Sequence, residues 1–391
     1  MKFSIFLPSY NRHALVTKAL DSVFAQTYPD FEILFYDNGS NPSLESIVRN
    51  YRDIRLKYTR CKKNQNINDL AENSINQMSG SFFLFLADDD ALVPNALVVV
   101  ADVVRKKGID ILAVRFTPFS HIHRTVDLGK IGLNCFTGIL EEYDAKEAAY
   151  HFCNGWGIGR KRVFRSPRMA HSSGIFISKQ LIDKTRRNQR ELFIKPFGDI
   201  GYVGALLNAN QYYFMDAPLA VIGETQIREM NGAQPGQRQK WEKEIKHIEY
   251  SPLKGASFVN MGMDAHLKVL YRNSAHQVYD CRLRPSFYKR HLKQVCSDSP
   301  WTKQTVRDIA ECVPHYLLSI LQSIGWKSVE PRIQQSSKMS MLAPFVNEIP
   351  EAAGASKTFA DINEYAVWVN EVCVKRLLDR KGAFHDALGM D

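Results

Sequence analysis

Residues 82–94, FFLFLADDDALVP, are the most informative stretch of this sequence. The apolar first half is typical of a buried parallel strand, and three adjacent aspartates follow where that strand ends. Adjacent carboxylates repel one another unless a positive charge lies nearby. Ligands bind beyond the carboxyl ends of the strands in open α/β sheets. We therefore expect Asp88, Asp89 and Asp90 to lie at a ligand site.

Strand and helix patterns alternate on both sides of this stretch. Apolar runs predict strands at 3–8, 31–36, 54–58, 81–86 and 109–116, with helices between them. Residues 120–170 lose this rhythm, and strands are predicted again at 172–178 and 211–223, with helices at 179–187 and 199–210. The repeated strand–helix order predicts an α/β fold, with a mostly parallel sheet and helices on both faces.

The part of the chain after residue 240 shows no strand pattern. Amphipathic helices are predicted near 306–324, kinked or broken at Pro314, and near 367–377. Because 391 residues exceed one ordinary core, two domains are expected. We predict an α/β domain at 1–240 and a mainly α-helical domain at 241–391. The second would serve acceptor binding, oligomer formation or membrane association.

Charge and cysteine content bound the partners and the compartment. A net charge of +10 favours anionic partners, namely phosphates, nucleic acid or an acidic membrane surface. No nucleic-acid-binding motif is present, so nucleic acid is not expected. Seven cysteines without a C-x-x-C pair favour reduced thiols in a cytoplasmic protein. No apolar run has a membrane-spanning length, and the first residues are typical of a strand rather than a signal peptide.

Polar residues follow two further predicted strands at the same edge of the sheet. The first strand ends in Pro8-Ser9-Tyr10-Asn11-Arg12, and the second in Asp37-Asn38-Gly39-Ser40. The glycine-rich fingerprints that bind phosphates through the backbone are absent. A divalent cation held by the aspartates is the alternative way to bind a diphosphate. Without such a cation, the aspartates would form a solvated turn and helix cap before Pro94.

Three segments in this order resemble the nucleotide-binding half of inverting family-2 glycosyltransferases with the GT-A fold: FSIFLPSYNR, SVFAQTYPDFEILFYDNGS and GSFFLFLADDDALVP. The resemblance covers residues 3–104 closely and 170–245 loosely. It implies transfer of a sugar from a nucleotide sugar, with UDP expected, to a glycan hydroxyl. It also implies Mn²⁺ or Mg²⁺ as the cofactor.

The resemblance implies roles for individual residues of the first half. Asp89, with Asp90, would bind the metal. A nucleotide-binding role falls to Pro8, Ser9, Tyr10, Arg12, Asp37, Asn38 and Asp88. Two positions depart from the family pattern, because Ala87 and Asn38 stand where aspartates are usual. The Ala87 departure leaves open how Asp88 and Asp90 share the work of the missing acid, and the Asn38 departure leaves open which base is bound.

The second half would supply the acceptor chemistry. A sugar hydroxyl needs a base to accept its proton, and the resemblance places Asp199 in that role, with Gly198 where glutamate is common. A plain helix cap is the alternative for Asp199. An acceptor or diphosphate contact is also predicted for His171 and for the QRQKW segment, that is, Arg238, Lys240 and Trp241. A structural histidine and a surface helix start are the respective alternatives.

Basic residues at 160–168 are predicted to contact an anionic acceptor or phospholipid, or simply to form a solvated loop; they are Arg160, Lys161, Arg162, Arg165 and Arg168. The expected setting is assembly of a surface polysaccharide, lipopolysaccharide or capsule at the inner membrane face. Expected partners are a nucleotide sugar, a glycan or lipid-linked acceptor, a peripheral membrane surface and a second copy joined through the C-terminal helices. Alternatives are an inactive nucleotide-sugar-binding scaffold, a nucleotidyltransferase and, through the positive charge, a nucleic-acid-binding protein.

Overall fold

The structure is a computed structural model that describes residues 1–127, 136–156, 158, 167–168, 171–195, 197–225, 248–254, 257–279, 281–297, 303–324, 356–375 and 378. Within these residues the chain contains eleven strands and eleven α-helices. The strands are β1 Phe3–Ser9, β2 Phe31–Asp37, β3 Leu56–Arg60, β4 Phe82–Phe85, β5 Ala91–Leu92, β6 Ile111–Ser120, β7 Thr125–Asp127, β8 Leu140–Asp144, β9 Ile175–Ser178, β10 Gln211–Glu224 and β11 Ser356–Thr358.

The helices are distributed along the whole chain. They are α1 His13–Phe24, α2 Glu45–Arg49, α3 Ile67–Gln77, α4 Ala96–Lys107, α5 Ala145–Trp156, α6 Lys179–Gln189, α7 Gly201–Asn208, α8 Phe258–Arg272, α9 Pro285–Ser297, α10 Lys303–Ile324 and α11 Ile362–Val369. Local signals set several of their ends. Ser178 caps α6 by accepting a hydrogen bond from the Leu181 amide, and Gly108 ends α4 with the positive φ that glycine tolerates.

Nine of these strands form one mixed sheet, in the order β3-β2-β1-β4-β9-β6-β10-β5, with β8 also paired to β10. β3, β2, β1 and β4 are mutually parallel, as are β6 and β10. β9 runs antiparallel to β4 and β6, while β5 and β8 run antiparallel to β10. The predicted α/β fold class with a mostly parallel sheet is confirmed. The alternation of strands and helices in the sequence did not predict the antiparallel strands.

Apolar side chains pack on both faces of this sheet. One core joins the sheet to α1, α4 and α11, and the other joins it to α3 and α5 through α10. All seven residues of β1 are buried, as expected for a central parallel strand covered on both sides. The segment 120–170, which shows no regular pattern in the sequence, contributes β7, β8 and α5. Its apolar pattern is weak because the edge strand β8 is short and partly exposed.

The last part of the chain returns to the first. β11 pairs with β7, and α11 buries Ile362, Tyr365 and Val369 in the same core as β1. The Tyr365 and Thr117 hydroxyls lie 2.6 Å apart, and the Asn370 side chain accepts the Asn95 amide at 3.1 Å. The division into domains at 1–240 and 241–391 stays a prediction, while α11 from the second part packs in the core that contains β1. α10 continues through Pro314, so the predicted alternative of a break there is wrong and a kink stays a prediction.

Within the described residues, no helix combines the length and apolar character that crossing a membrane requires. The cysteines in this part of the chain, which exclude Cys135, are free thiols.

Candidate functional site

Three adjacent parallel strands end together at one rim of the sheet. Ser9, the last residue of β1, is in register with Asp37, the last residue of β2. β4 is in register with β1 only to the Phe6–Phe85 pair, so the aspartates lie just beyond its end. The Ser9 hydroxyl donates a 2.6 Å hydrogen bond to Oδ2 of Asp88. The rim predicted from the sequence therefore forms.

Arg12 supplies a positive charge to the aspartate cluster. Its Nη1 atom lies 3.1 Å from Oδ1 of Asp88 and 2.7 Å from Oδ2 of Asp89. The two carboxylates thus converge on one guanidinium nitrogen. Burial raises the pKa of Asp88 to about 6, although the Arg12 charge and the Ser9 hydrogen bond oppose the rise.

The three aspartates have different surroundings. Asp90 is fully enclosed: its two oxygens accept hydrogen bonds from the Ser173 hydroxyl at 2.5 Å and the Gly223 amide at 2.9 Å. Burial and the neighbouring Asp89 carboxylate raise its pKa well above the usual value. Asp90 therefore ties the aspartate loop to the β9 and β10 side of the sheet. Both Asp90 oxygens are thus engaged within the protein, and its predicted role as a metal ligand stays a prediction.

The Asp89 backbone is held by contacts with His121 and Gly223. Nε2 of His121 lies 2.8 Å from the Asp89 carbonyl oxygen. Gly223 passes so close that a Cβ there would lie 1.9 Å from the same oxygen, which only glycine permits. The Asp89 side chain itself is 16% exposed, against 9% for Asp88. Asp89 is thus fixed by its backbone and presents its carboxylate to the rim.

Asp37 and Asn38 organise the loops that follow β2 and β3. Asp37 is fully buried and accepts hydrogen bonds from the Ser40 and Leu44 amides and the Tyr58 hydroxyl. Although burial alone raises the pKa of Asp37, these bonds bring it below the usual value. Asn38 exchanges two hydrogen bonds with the Gln65 backbone. Both side chains are engaged within the protein, and their nucleotide-binding role stays a prediction.

Tyr10 is the accessible aromatic side chain of the rim, at 46% exposure, whereas the neighbouring Pro8 is buried. The next residue, Asn11, has a φ of +56°, which asparagine tolerates better than most residues. Its side-chain oxygen accepts the Asn41 amide at 2.8 Å. The loop after β1 is thereby fixed against the loop after β2, with the Tyr10 ring facing outward.

Asp199 lies close to the same rim. It belongs to a 3₁₀ turn, Gly198–Ile200, that enters α7 without a side-chain cap, so the helix-cap alternative is not observed. Burial raises the pKa of Asp199, while the charge of His171 and a hydrogen bond with Ser172 act against the rise. Nδ1 of His171 lies 3.7 Å from Asp90 Oδ2. His171 thus faces carboxylates from both halves of the chain.

Gly198 explains one departure from the family pattern. A Cβ at this position would lie 2.3 Å from Oδ1 of Asn68 and 2.9 Å from the Phe193 ring. Asn68 is buried at the start of α3. A glutamate therefore does not fit here while the side chains of Asn68 and Phe193 keep their positions.

Several predicted residues lie outside the described part of the chain, namely Arg160, Lys161, Arg162, Arg165, Arg238, Lys240 and Trp241. Arg168 is described. Its Nη1 lies 2.7 Å from Oδ1 of the buried Asp216, which also accepts a 2.8 Å hydrogen bond from Arg115.

Sequence reasoning missed Ser173, His121 and Gly223. Ser173 lies near the start of the strand predicted at 172–178, which was an available signal. No local signal marks His121 or Gly223, because both contact Asp89 only through tertiary packing.

The donor set of the rim fits a hard divalent cation. Asp88 and Asp89 present carboxylate oxygens, which Mg²⁺ and Mn²⁺ prefer. Their convergence on Arg12 Nη1 marks a point where a positive charge is stabilised. Among the described residues no group of three or more metal-ligating side chains exists, so further ligands would come from the nucleotide or from water.

Residues 4–165 match the family model described as glycosyl transferase family 2. GalNAc(5)-diNAcBac-PP-undecaprenol beta-1,3-glucosyltransferase from Campylobacter jejuni is 38% identical over 102 residues, which are 25% of this chain and 32% of that protein. Poly(ribitol-phosphate) beta-N-acetylglucosaminyltransferase TarS from Staphylococcus aureus is 29% identical over 119 residues, 29% of this chain and 21% of that protein. The chain thus spans a third or less of either relative. S. aureus TarS 1–349 in complex with UDP-GlcNAc superposes with a TM-score of 0.48 at 15% identity, over 81% of this chain and 89% of that chain.

Proposed function

We propose that this chain, whose residues 4–165 match the family model of glycosyl transferase family 2, transfers a sugar from a nucleotide sugar to a glycan hydroxyl with inversion of the anomeric centre. The rim carries the proposal: Asp88, Asp89 and Arg12 converge at the end of β4, and Asp199 lies on the same side of the sheet. Asp88, Asp89 and Arg12 have the chemistry of a diphosphate site, and Asp199 has the chemistry of a base.

The donor is a UDP-sugar in this proposal. Tyr10 offers an exposed ring against which a flat pyrimidine can stack. Pro8, Asp37 and Asn38 shape the floor beneath it. The Ser9–Asp88 hydrogen bond sets the position of the Asp88 carboxylate where the ribose and diphosphate would follow.

Asp89, assisted by Asp88, would hold a Mn²⁺ or Mg²⁺ ion. When bound, such a cation neutralises charge on the leaving diphosphate. The protein's own contribution is positional. His121 and Gly223 fix the Asp89 backbone, and Arg12 holds both carboxylates in place.

Asp199 accepts the proton of the attacking hydroxyl. Burial raises the pKa of this carboxylate, which makes it a stronger base than an exposed aspartate. His171 is placed to orient it, and the Ser172 contact restrains its rotation. The names of both curated relatives specify β-linked products, which inversion of an α-linked donor would yield.

The acceptor is a glycan or a lipid-linked glycan of a cell-surface polysaccharide, lipopolysaccharide or capsule. One relative's name specifies a polyprenyl-diphosphate-linked glycan and the other a poly(ribitol phosphate). A cytoplasmic enzyme working at the inner membrane face, with a +10 charge toward anionic lipid, is consistent with such acceptors.

A thermal-shift panel of nucleotide sugars with Mn²⁺ tests the function. At least one UDP-sugar should raise the unfolding temperature, and it should release UDP on incubation. Binding without any turnover across donors and acceptors would indicate an inactive scaffold. A salt-sensitive complex with DNA or RNA that no nucleotide sugar displaces would indicate nucleic-acid binding instead.

A further inference from the structure

A concave surface other than the aspartate rim lies beside α3. It is an open groove of about 710 Å³ between the end of β3 and α3, within the usual size range of small-molecule sites. Tyr36, Arg60, Lys62 and Lys63 form part of its wall. None of its lining residues belongs to the aspartate cluster or to the Asp199 segment.

The charge of the groove is one-sided. Arg60, Lys62 and Lys63 are all exposed, and no acidic side chain is found among the described residues that line the groove. Arg60 is 3.8 Å from Asp37, a long ion pair. Lys62 and Lys63 have no ion-pair partner among the residues that the structure describes. The groove therefore attracts anions.

Its remaining polar wall suits a sugar. Asn73, Asn76 and Gln77 present amides from α3, each with donors and acceptors for hydroxyl groups. Such side chains match the mixed donor and acceptor pattern of a carbohydrate better than that of a lipid chain.

Tyr36 adds an independent observation. The side chain is 3% exposed, and its hydroxyl has no hydrogen-bond partner among the residues that the structure describes. Buried hydroxyl groups are normally hydrogen-bonded, so an unpartnered one in the wall of a groove points to a ligand that completes it.

We propose that this groove binds a phosphate-bearing sugar, with Lys62 and Lys63 on the phosphate and the α3 amides on the hydroxyl groups. The proposal deepens the proposed function, on which it rests for the choice of sugar over other anions. The phosphate can come from a free sugar phosphate or from a phosphate-bearing glycan acceptor. α3 connects the two sites, because its first turn contacts Gly198 while its later residues line the groove.

Calorimetric titration without nucleotide sugar tests the proposal apart from the transferase activity. The probes are glucose 1-phosphate, a poly(glycerol phosphate) oligomer, inorganic phosphate and neutral glucose. We expect either phosphorylated compound to bind at least about tenfold more tightly than inorganic phosphate or glucose. Tighter binding of the oligomer identifies an acceptor, and tighter binding of glucose 1-phosphate identifies a free effector.

Two variants assign the binding to the groove. The double variant Lys62→Ala/Lys63→Ala should weaken binding of the phosphorylated probe about tenfold or more. Tyr36→Phe should weaken that binding several-fold without lowering the melting temperature. Lys107→Ala, an exposed lysine on α4, is the control and should bind as the wild type does. The proposal is overturned if no phosphorylated probe binds, or if the three variants bind alike. UDP release from a donor, measured in the same variants, reports separately on the proposed transferase.

Discussion

Nη1 of Arg12 lies 2.7 Å from Oδ2 of Asp89 and 3.1 Å from Oδ1 of Asp88. A guanidinium group therefore stands where a divalent cation would be attracted. The protein stabilises the carboxylate cluster with its own positive charge, and an incoming cation has to share or displace it.

Replacing Arg12 with alanine should strengthen the binding of free Mn²⁺. The substitution removes the charge that competes for Asp88 and Asp89, so the dissociation constant of Mn²⁺ alone should fall several-fold in calorimetry. Arg49→Ala, which removes an exposed pair with Glu45, is the matched control. Unchanged Mn²⁺ affinity in the Arg12 variant would show that the cation binds elsewhere.

Asp199→Asn should abolish transfer while leaving donor binding intact. Loss of a general base typically lowers the rate about 10²- to 10⁴-fold. Because burial raises the pKa of Asp199 and the base acts ionised, the wild-type rate should rise with pH through a pKa above that of a free aspartate. UDP release across pH measures both effects. Asp183→Asn on α6 is the control, and full activity of the Asp199 variant would assign the base to another residue.

Glu32→Gln should destabilise the fold by about 2–4 kcal/mol, since Glu32 is buried and accepts hydrogen bonds from Ser4, Ser79 and the Lys57 ammonium. Burial alone raises its pKa, but these partners lower it to about 2. The contribution is therefore complete above the unfolded value of about 4.3 and disappears as pH falls toward 2.

Denaturant unfolding at several pH values tests this assignment. The difference in unfolding free energy between wild type and Glu32→Gln should be largest near neutral pH and should shrink below about pH 4. Glu45→Gln, at an exposed pair, should change stability by about 0.5 kcal/mol or less. A pH-independent difference for Glu32 would contradict the account.

Gly198→Ala should destabilise the chain by about 1–3 kcal/mol and reduce transfer. The added methyl would meet Asn68 and Phe193 and push the Asp199 turn out of position. Gly155→Ala, where a Cβ meets no atom of the described residues within 4 Å, should be neutral or slightly stabilising in α5. A fully active, equally stable Gly198 variant would mean that this turn adapts freely.

The sequence predicted the first half of the fold well because its strands are buried on both faces and its helices have regular apolar spacing. β1, α1, β2, α3 and α4 lie within a few residues of their predicted places. The direction of β9 could not be predicted, since an isolated apolar run reads the same in both directions. The return of α11 to the core of β1 depends on contacts such as Asn95 with Asn370, which no local pattern encodes.

In the candidate site, too, some features were predicted from the sequence and others depend on tertiary contacts. Because the carboxyl ends of parallel strands meet at one edge of a sheet, the sequence predicted that Ser9, Asp37 and the three aspartates share one rim. The different surroundings of Asp89 and Asp90 could not be foreseen, because they depend on Ser173 and Gly223, far away in the chain.

Calorimetric titration of UDP-glucose and UDP-N-acetylglucosamine, with and without Mn²⁺, tests the role of Asp89 most directly. For the wild type, Mn²⁺ should strengthen the binding of at least one of these donors by about tenfold or more. Asp89→Asn should abolish that gain, while Asp102→Asn on the exposed face of α4 should preserve it. Metal-strengthened binding that persists unchanged in Asp89→Asn would contradict the account.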